Sequence, residues 1–201
     1  MKRMQVPALW VLLLFIIFSV SVYFAIPWIR WVDNFGETFL RPNTIPKNVH
    51  IFESITRLGS APYLGVFILM VIAVLWFCQK KRAILPYLVA NLFSAVLVEL
   101  ILKPFIHRLR PSYGLIIQSG YSFPSGHAAA VTVAYGLAFG LSCYYLKETW
   151  HRLIIGILFG SLILLVMWSR VYLGVHYLSD VLGGFILGTA QILFILRWNR
   201  W

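Results

Sequence analysis

Apolar residues in this chain run in blocks rather than alternating with polar ones. The blocks lie at about 7–27, 61–78, 84–102, 128–146, 153–169 and 179–197. Each meets the roughly 17–25 residues that a helix needs to cross a bilayer. Inside hydrocarbon a helix satisfies every backbone group within its own segment. The pattern therefore predicts an all-α polytopic membrane protein, a bundle of six transmembrane helices forming a single domain over residues 1–201. The connections differ sharply in length. Short ones fall at Gln79–Arg82 and Lys147–Arg152, and long ones at about 28–60, 103–127 and 170–178.

Composition agrees with the blocks. Hydrophobic residues make up 61% of the chain and charged residues 11%, against roughly half and a quarter in a soluble domain. No soluble domain, low-complexity tract or internal repeat interrupts the pattern. The first block follows Met1-Lys2-Arg3 as a signal peptide would. It is long for the apolar region of a cleaved leader, and no convincing small-x-small cleavage site follows before Pro27 and Trp28, so it is expected to stay as an anchor. Cys78 and Cys143 fall in or beside apolar blocks and read as small buried hydrophobes, with no disulfide implied. Within the first long connection, Asn48–Leu58 has mixed helical spacing. It fits an interfacial amphipathic helix and equally a plain loop.

The net charge of +11 could suggest nucleic acid as a partner. The basic residues sit between apolar blocks instead of along one polar face, so anionic lipid or a phosphorylated substrate is the better match. Lys80, Lys81, Arg82, Lys147, Arg152, Arg197 and Arg200 join Lys2 and Arg3 close to block ends, with Glu148 as the acid among them. On the other side the basic residues are spread out and mixed with Asp33, Glu37, Glu53 and Asp180. Density of positive charge near the spans places both termini in the cytoplasm and the long connections outside. Trp28, Trp31, Trp198 and Trp201 sit at block ends, as an aromatic belt would.

Two of the outward connections carry the candidate chemistry. Pro104 disfavours helix at Lys103, so the third block should end there. Arg110 follows, and Arg170 closes the fifth block. Arginine offers phosphate a planar fork and lysine a mobile point charge. Ser125 is a natural N-cap for the fourth block. The free amides of Gly126, His127 and Ala128 would then face outward as an anion site, and Gly126 admits an anion close to the backbone. Single cations at span ends can also merely snorkel to headgroups, a poorer account of the whole set on one face. His176 and Asp180 are spaced i, i+4, about 6 Å along a helix axis. A carboxylate on one imidazole nitrogen fixes the tautomer and frees the other to attack, although structural pairs of this kind are common. Glu99, one turn before Lys103, is an intramembrane acid and so a functional candidate, with pairing to Lys103 its expected role. His107 and Arg108 are expected to touch headgroups or polyphosphate, and His50 and His151 to be ordinary loop residues. Gly183, Gly184 and Gly188 should allow close helix packing.

Lys103 with Arg110-Pro111 matches Lys-x6-Arg-Pro. Pro124-Ser125-Gly126-His127 matches Pro-Ser-Gly-His. Ser169-Arg170, His176 and Asp180 match Ser-Arg-x5-His-x3-Asp. The chain thus resembles the type 2 phosphatidic acid phosphatase superfamily, with all three motifs in order, and the six-block layout extends the likeness to nearly the whole chain. The resemblance implies a membrane lipid phosphatase in which His176 forms a phosphohistidine and Asp180 orients it. His127 would protonate the leaving oxygen and then activate water. Lys103, Arg110, Ser125, Gly126 and Arg170 would hold the phosphoryl oxygens. Phosphoryl transfer needs positioning and charge stabilisation above all. No carboxylate cluster suggests magnesium, so neither metal nor cofactor is expected, and the two histidines should give a bell-shaped pH profile.

The superfamily's soluble vanadium haloperoxidases share the constellation, but six spans argue against that branch. An anion transporter would need charge near mid-membrane, where Glu99 alone comes close. A silent lipid-phosphate binder would not need the full set His127, His176 and Asp180. The lipid bilayer and a lipid phosphate are the implied partners. Undecaprenyl pyrophosphate is the first candidate, because an outward site suits recycling of that carrier. Phosphatidylglycerophosphate comes next, then phosphatidic acid and diacylglycerol pyrophosphate. Nothing in the sequence speaks to oligomeric state or tail selectivity.

Overall fold

A computed structural model describes residues 5–41 and 46–198. Lys2, Arg3, Arg200 and Trp201, which entered the topology and belt readings, lie outside the described residues. The chain forms α1 (Gln5–Tyr23), α2 (Pro27–Leu40), α3 (Pro46–Arg57) and α4 (Ala61–Phe77). A 3-10 turn (Lys81–Ala83) leads into α5 (Ile84–Val96), a π-helical turn (Leu97–Leu102) and α6 (Lys103–Ile106). Then come α7 (Gly126–Tyr145), α8 (Thr149–Tyr172) and α9 (Leu178–Trp198). No strand occurs among the described residues.

Four helical stretches are long and apolar enough to cross a bilayer: Lys81–Ile106, Gly126–Tyr145, Thr149–Tyr172 and Leu178–Trp198. Two bent pairs raise the number to as many as six: α1 with α2, bent by 88°, and α3 with α4, bent by 43°. The protein is a multi-pass membrane protein with a lipid-facing shell of leucine, isoleucine and aromatic side chains, among them Leu69, Met70, Leu92 and Leu164.

Two sequence expectations change and one open choice is decided. The first span stops at Tyr23 rather than near Pro27. Ala25 takes a left-handed φ of 46°, and Pro27, whose missing N–H is harmless at a helix start, begins a new helix at nearly a right angle. That helix is amphipathic: Trp31, Phe35 and Phe39 are exposed, while Ile29, Asp33 and Gly36 are buried. Of the two readings of Asn48–Leu58, the helix holds, as α3. The third span does not end at Lys103. It continues to Ile106 and stops at His107, which is left-handed at φ 54°. A proline inside a helix removes one N–H donor and crowds the carbonyl four residues back. The π turn immediately before Pro104 widens the ladder, and single-turn π segments are a recurrent way to absorb such a conflict.

Helix α7 is the centre of the bundle. Its Ala128, Val131, Ala134 and Tyr135 pack with Leu64, Ile163, Val166 and Val181. On another side Ala129 joins Phe15 and Phe18 of α1, Phe123 and Leu187. As expected, glycines bring α9 against α7: a Cβ on Gly184 would lie 2.5 Å from the Ser125 carbonyl oxygen, and one on Gly188 2.8 Å from Thr132. This contact seats the start of α7 beside the start of α9, where the Ser125 N–H donates to the Asp180 carbonyl at 2.9 Å.

Candidate active site

The site gathers at the helix ends that share one face. It draws on the α7 start, the α8 end, the α9 start and the loop 107–125. The loop is tied down by its own backbone. Ser122 donates from its N–H to the Arg108 carbonyl at 2.8 Å and Leu115 to the Leu173 carbonyl at 2.9 Å. Arg41 donates to the Tyr113 carbonyl at 2.7 Å and the Tyr172 carbonyl at 3.2 Å. After α8 the chain reverses at Gly174, which adopts φ 65°. A side chain is disfavoured there by the backbone and by the Tyr113 carbonyl, 2.9 Å from a built Cβ. The reversal delivers His176 inward, where it is 2% exposed.

Each nitrogen of His176 has a definite neighbour. Arg110 Nη1 lies 3.1 Å from Nε2. A guanidinium can only donate, so Nε2 presents its lone pair and the proton belongs on Nδ1. Asp180 Oδ2 is 3.4 Å from Nδ1. That is ion-pair range without hydrogen-bond alignment, and Nδ1 has no other partner. Burial, then the cations Arg170, Arg110 and Lys103, hold the His176 imidazole well below the usual histidine range, opposed weakly by a backbone hydrogen bond at Ser122. The imidazole is therefore neutral, as a nucleophile must be.

Asp180 is fully buried. Its Oδ2 accepts the Tyr177 N–H at 2.9 Å, and its Oδ1 accepts from Arg108 Nη1 at 2.6 Å. Arg108 also donates to Ser179 Oγ at 2.6 Å, pairs through Nη2 with Asp33 Oδ2, and lies 4.2 Å over the Tyr177 ring. Asp33 Oδ1 in turn accepts from the Ser179 N–H at 3.0 Å and its hydroxyl at 2.6 Å. Burial works against the Arg108 charge, but Asp180 and then Asp33 more than offset it and raise its pKa. The expectation that Arg108 faces headgroups or polyphosphate is thus corrected: two buried carboxylates attract it inward. Sequence reasoning missed Asp33, Thr56, Gln118 and Ser179. The available signal was an acid, Asp33, on the apolar side of an amphipathic stretch.

The cations surround the same place. Arg170 is 2% exposed. It donates to Thr56 Oγ1 at 2.8 Å and Gln118 Oε1 at 3.1 Å, while its Nε is buried without a partner. Arg110 donates through Nε to the Gly120 carbonyl at 3.0 Å and through Nη1 to the Val175 carbonyl at 2.8 Å. Ser125 caps α7, its Oγ accepting the Ala128 N–H at 3.4 Å, which leaves the first amides of α7 for an anion. His127, in the first turn of α7, lies in the electrostatic field of Arg170, His176, Lys103 and Arg110. Lys103 Nζ contacts both Glu99 oxygens, at 2.7 and 2.9 Å, the pairing expected from the sequence. All eight sequence-derived site residues meet here. The arrangement can bind a tetrahedral anion, offer it an imidazole lone pair and place a second imidazole beside it.

A family model described as the PAP2 superfamily matches residues 83–201. Phosphatidylglycerophosphatase B of Bacillus subtilis is 36% identical over 149 residues, which are 73% of this chain and 71% of that protein. An undecaprenyl-diphosphatase of Sulfolobus acidocaldarius is 34% identical over 126 residues, 59% of this chain and 57% of that one. Among solved structures, a transmembrane PAP2-type phosphatidylglycerolphosphate phosphatase from Bacillus subtilis superposes with a TM-score of 0.83 at 28% identity, covering 95% of this chain and 94% of that chain.

Proposed function

Starting from the fact that this chain belongs to the PAP2 superfamily, we propose that it hydrolyses a phosphate group from a membrane lipid through a phosphohistidine at His176. The observation that carries the reading is the state of that imidazole, with Nε2 presented as a lone pair at Arg110 and Nδ1 3.4 Å from Asp180 Oδ2. Nε2 attacks phosphorus and forms a P–N bond while the P–O bond to the lipid breaks. The negative charge of the bound phosphate offsets the surrounding cations and lets His127 hold a proton, which it gives to the departing oxygen. His127 then takes a proton from water, whose oxygen attacks phosphorus as the P–N bond breaks. Inorganic phosphate leaves and His176 returns to the neutral form. Arg110, Arg170, Lys103, Ser125 and the Gly126 amide hold the equatorial oxygens, where fixed donors stabilise the charge of the transition state. These cations supply the charge that a metal would supply elsewhere, so turnover is expected without one.

The substrates this reading supports are phosphatidylglycerophosphate and undecaprenyl diphosphate, the chemistries named for the similar proteins. The density of basic residues around Lys80–Arg82 and Lys147–Arg152 favours a cytoplasmic position for that face and both termini, with the site on the opposite side.

Phosphate release by the purified protein in detergent with EDTA, wild type beside His176→Ala, tests the mechanism. Metal-independent release by the wild type and a loss of at least about 10³-fold in the variant are expected. Equal release by both proteins would sink the histidine mechanism and bring a binding or transport role forward.

A further inference from the structure

Glu99 is unexplained by the reaction as written. It projects from the π turn, inside the apolar span Lys81–Ile106, where a carboxylate is costly unless it serves a purpose. Its Oε1 lies so close over Gly126 that a side chain at 126 would make the carboxylate swing away. It also lines a cavity of about 390 Å³ together with Gly126 and His127. The cavity lies between α4, α5 and α7, and Ile68, Leu92, Asn91 and Ser94 also line it. The Ser94 hydroxyl is buried and has no hydrogen-bond partner.

The cavity touches His127 and not His176. On the proposed mechanism, the attacking nitrogen and the leaving group lie on opposite sides of phosphorus. The group that leaves therefore occupies the side of His127, and this cavity is its place. The two substrates differ there. Phosphatidylglycerophosphate releases a glycerol oxygen, with a free hydroxyl on the next carbon and its phosphodiester charge held off beyond the third carbon, before the acyl chains. Undecaprenyl diphosphate releases a second phosphate, bonded directly to a hydrocarbon chain. A carboxylate accepts a hydrogen bond from the first and repels the second. Ser94, five residues before Glu99 and about 7.5 Å along the helix, offers a donor at a depth where an acylated glycerol carries oxygen and a polyprenyl tail carries none.

We propose that Glu99, which lines this cavity and is paired with Lys103, is a specificity-determining residue that selects a hydroxylated phosphomonoester lipid over a lipid diphosphate. The assignment rests on the phosphatase reading above and reverses the sequence-based preference for the diphosphate. A site built to hydrogen-bond a hydroxyl discriminates strongly against a substrate lacking it.

The test is the ratio of kcat/KM for phosphatidylglycerophosphate to that for undecaprenyl diphosphate. Wild type, Glu99→Gln, Glu99→Asp and Ser94→Ala are compared in detergent. A ratio taken on one preparation does not depend on how much of a variant is folded, and it cancels any general gain from freeing Lys103. The wild type should favour the phosphomonoester. Glu99→Gln should shift the ratio at least tenfold toward the diphosphate, and Glu99→Asp should stay near wild type. Ser94→Ala should lower the phosphomonoester value several-fold and leave the diphosphate value unchanged. A ratio that Glu99→Gln leaves within threefold of wild type overturns the assignment alone and reduces Glu99 to a partner of Lys103. A wild type that turns over neither lipid overturns the phosphatase reading and this one with it.

Discussion

His176 has its two nitrogens committed in opposite directions, and this has a consequence for stability. Burial and three cations keep it neutral in the folded protein, while in the unfolded chain it titrates near the usual value of about 6.5. A depressed histidine pKa means that the unfolded state binds more protons once the pH drops below about 6.5. Stability is therefore full above that value and falls as the pH goes lower. Below about pH 6.5 the cost of keeping this residue neutral in the fold should grow as the pH falls, because protonation then favours the unfolded chain. His176→Asn cannot titrate. The difference in thermal midpoint between wild type and His176→Asn, measured in detergent from pH 8 to pH 5, should change steadily below about pH 6.5 and stay flat above it. A difference independent of pH would mean that the fold leaves the His176 pKa unshifted, and a wild type that gains on the variant as the pH falls would mean that the fold favours the protonated imidazole, which would remove its claim to be the nucleophile.

At the scale of elements, Arg108 joins three of them. It reaches from the loop after α6 to Asp33 on α2 and to Asp180 and Ser179 at the start of α9. Little of this was legible in the sequence. The helices α7, α8 and α9 could be read from apolar blocks, because lipid demands long apolar runs whatever the tertiary context. The eight site residues could be read because their chemistry sits at helix ends and in short motifs. The Asp33–Arg108 pair spans 75 residues, and nothing local marks either partner for the other. The reversal at Ala25 escaped because alanine carries no signal for a left-handed turn, and the π turn because Pro104 reads as a helix end rather than as a widened turn that carries the helix on. Breaking a buried ion pair from one side leaves an uncompensated charge and typically costs about 3–5 kcal/mol. Arg108→Gln strands two carboxylates and should lose most activity along with stability, whereas Asp33→Asn strands none and should be milder. A double-mutant cycle on chemical stability should give a coupling of about 1–3 kcal/mol between Asp33 and Arg108. Additive losses would mean that the two act independently and that α2 does not help to set Asp180.

The whole molecule is polarised along the bundle axis. Helix α7 begins at the site with Gly126 and ends at Tyr145, where Lys80 lies 4.8 Å from the Tyr145 ring and Lys81 4.3 Å from that of Trp76. Cations on aromatic rings at helix ends suit a membrane–water interface, because ring and ammonium both keep one side in the headgroup region. Both cysteines belong to that end, and neither is the buried hydrophobe expected from the sequence: Cys78 follows α4 and is exposed, and Cys143, half-buried, lies in the last turn of α7. On the opposite end, Ile117 is fully exposed in the loop beside Gln118, which binds Arg170. The native chain thus carries its own sidedness probe. If the basic end faces the cytoplasm, a membrane-impermeant maleimide added to intact cells should leave the wild type unmodified and label Ile117→Cys. Permeabilised cells should then show modification of Cys78 in both proteins. Labelling of the wild type in intact cells, with Ile117→Cys adding nothing, would invert the molecule. The site would then open to the cytoplasm, and any lipid displayed only on the outer leaflet would be out of its reach.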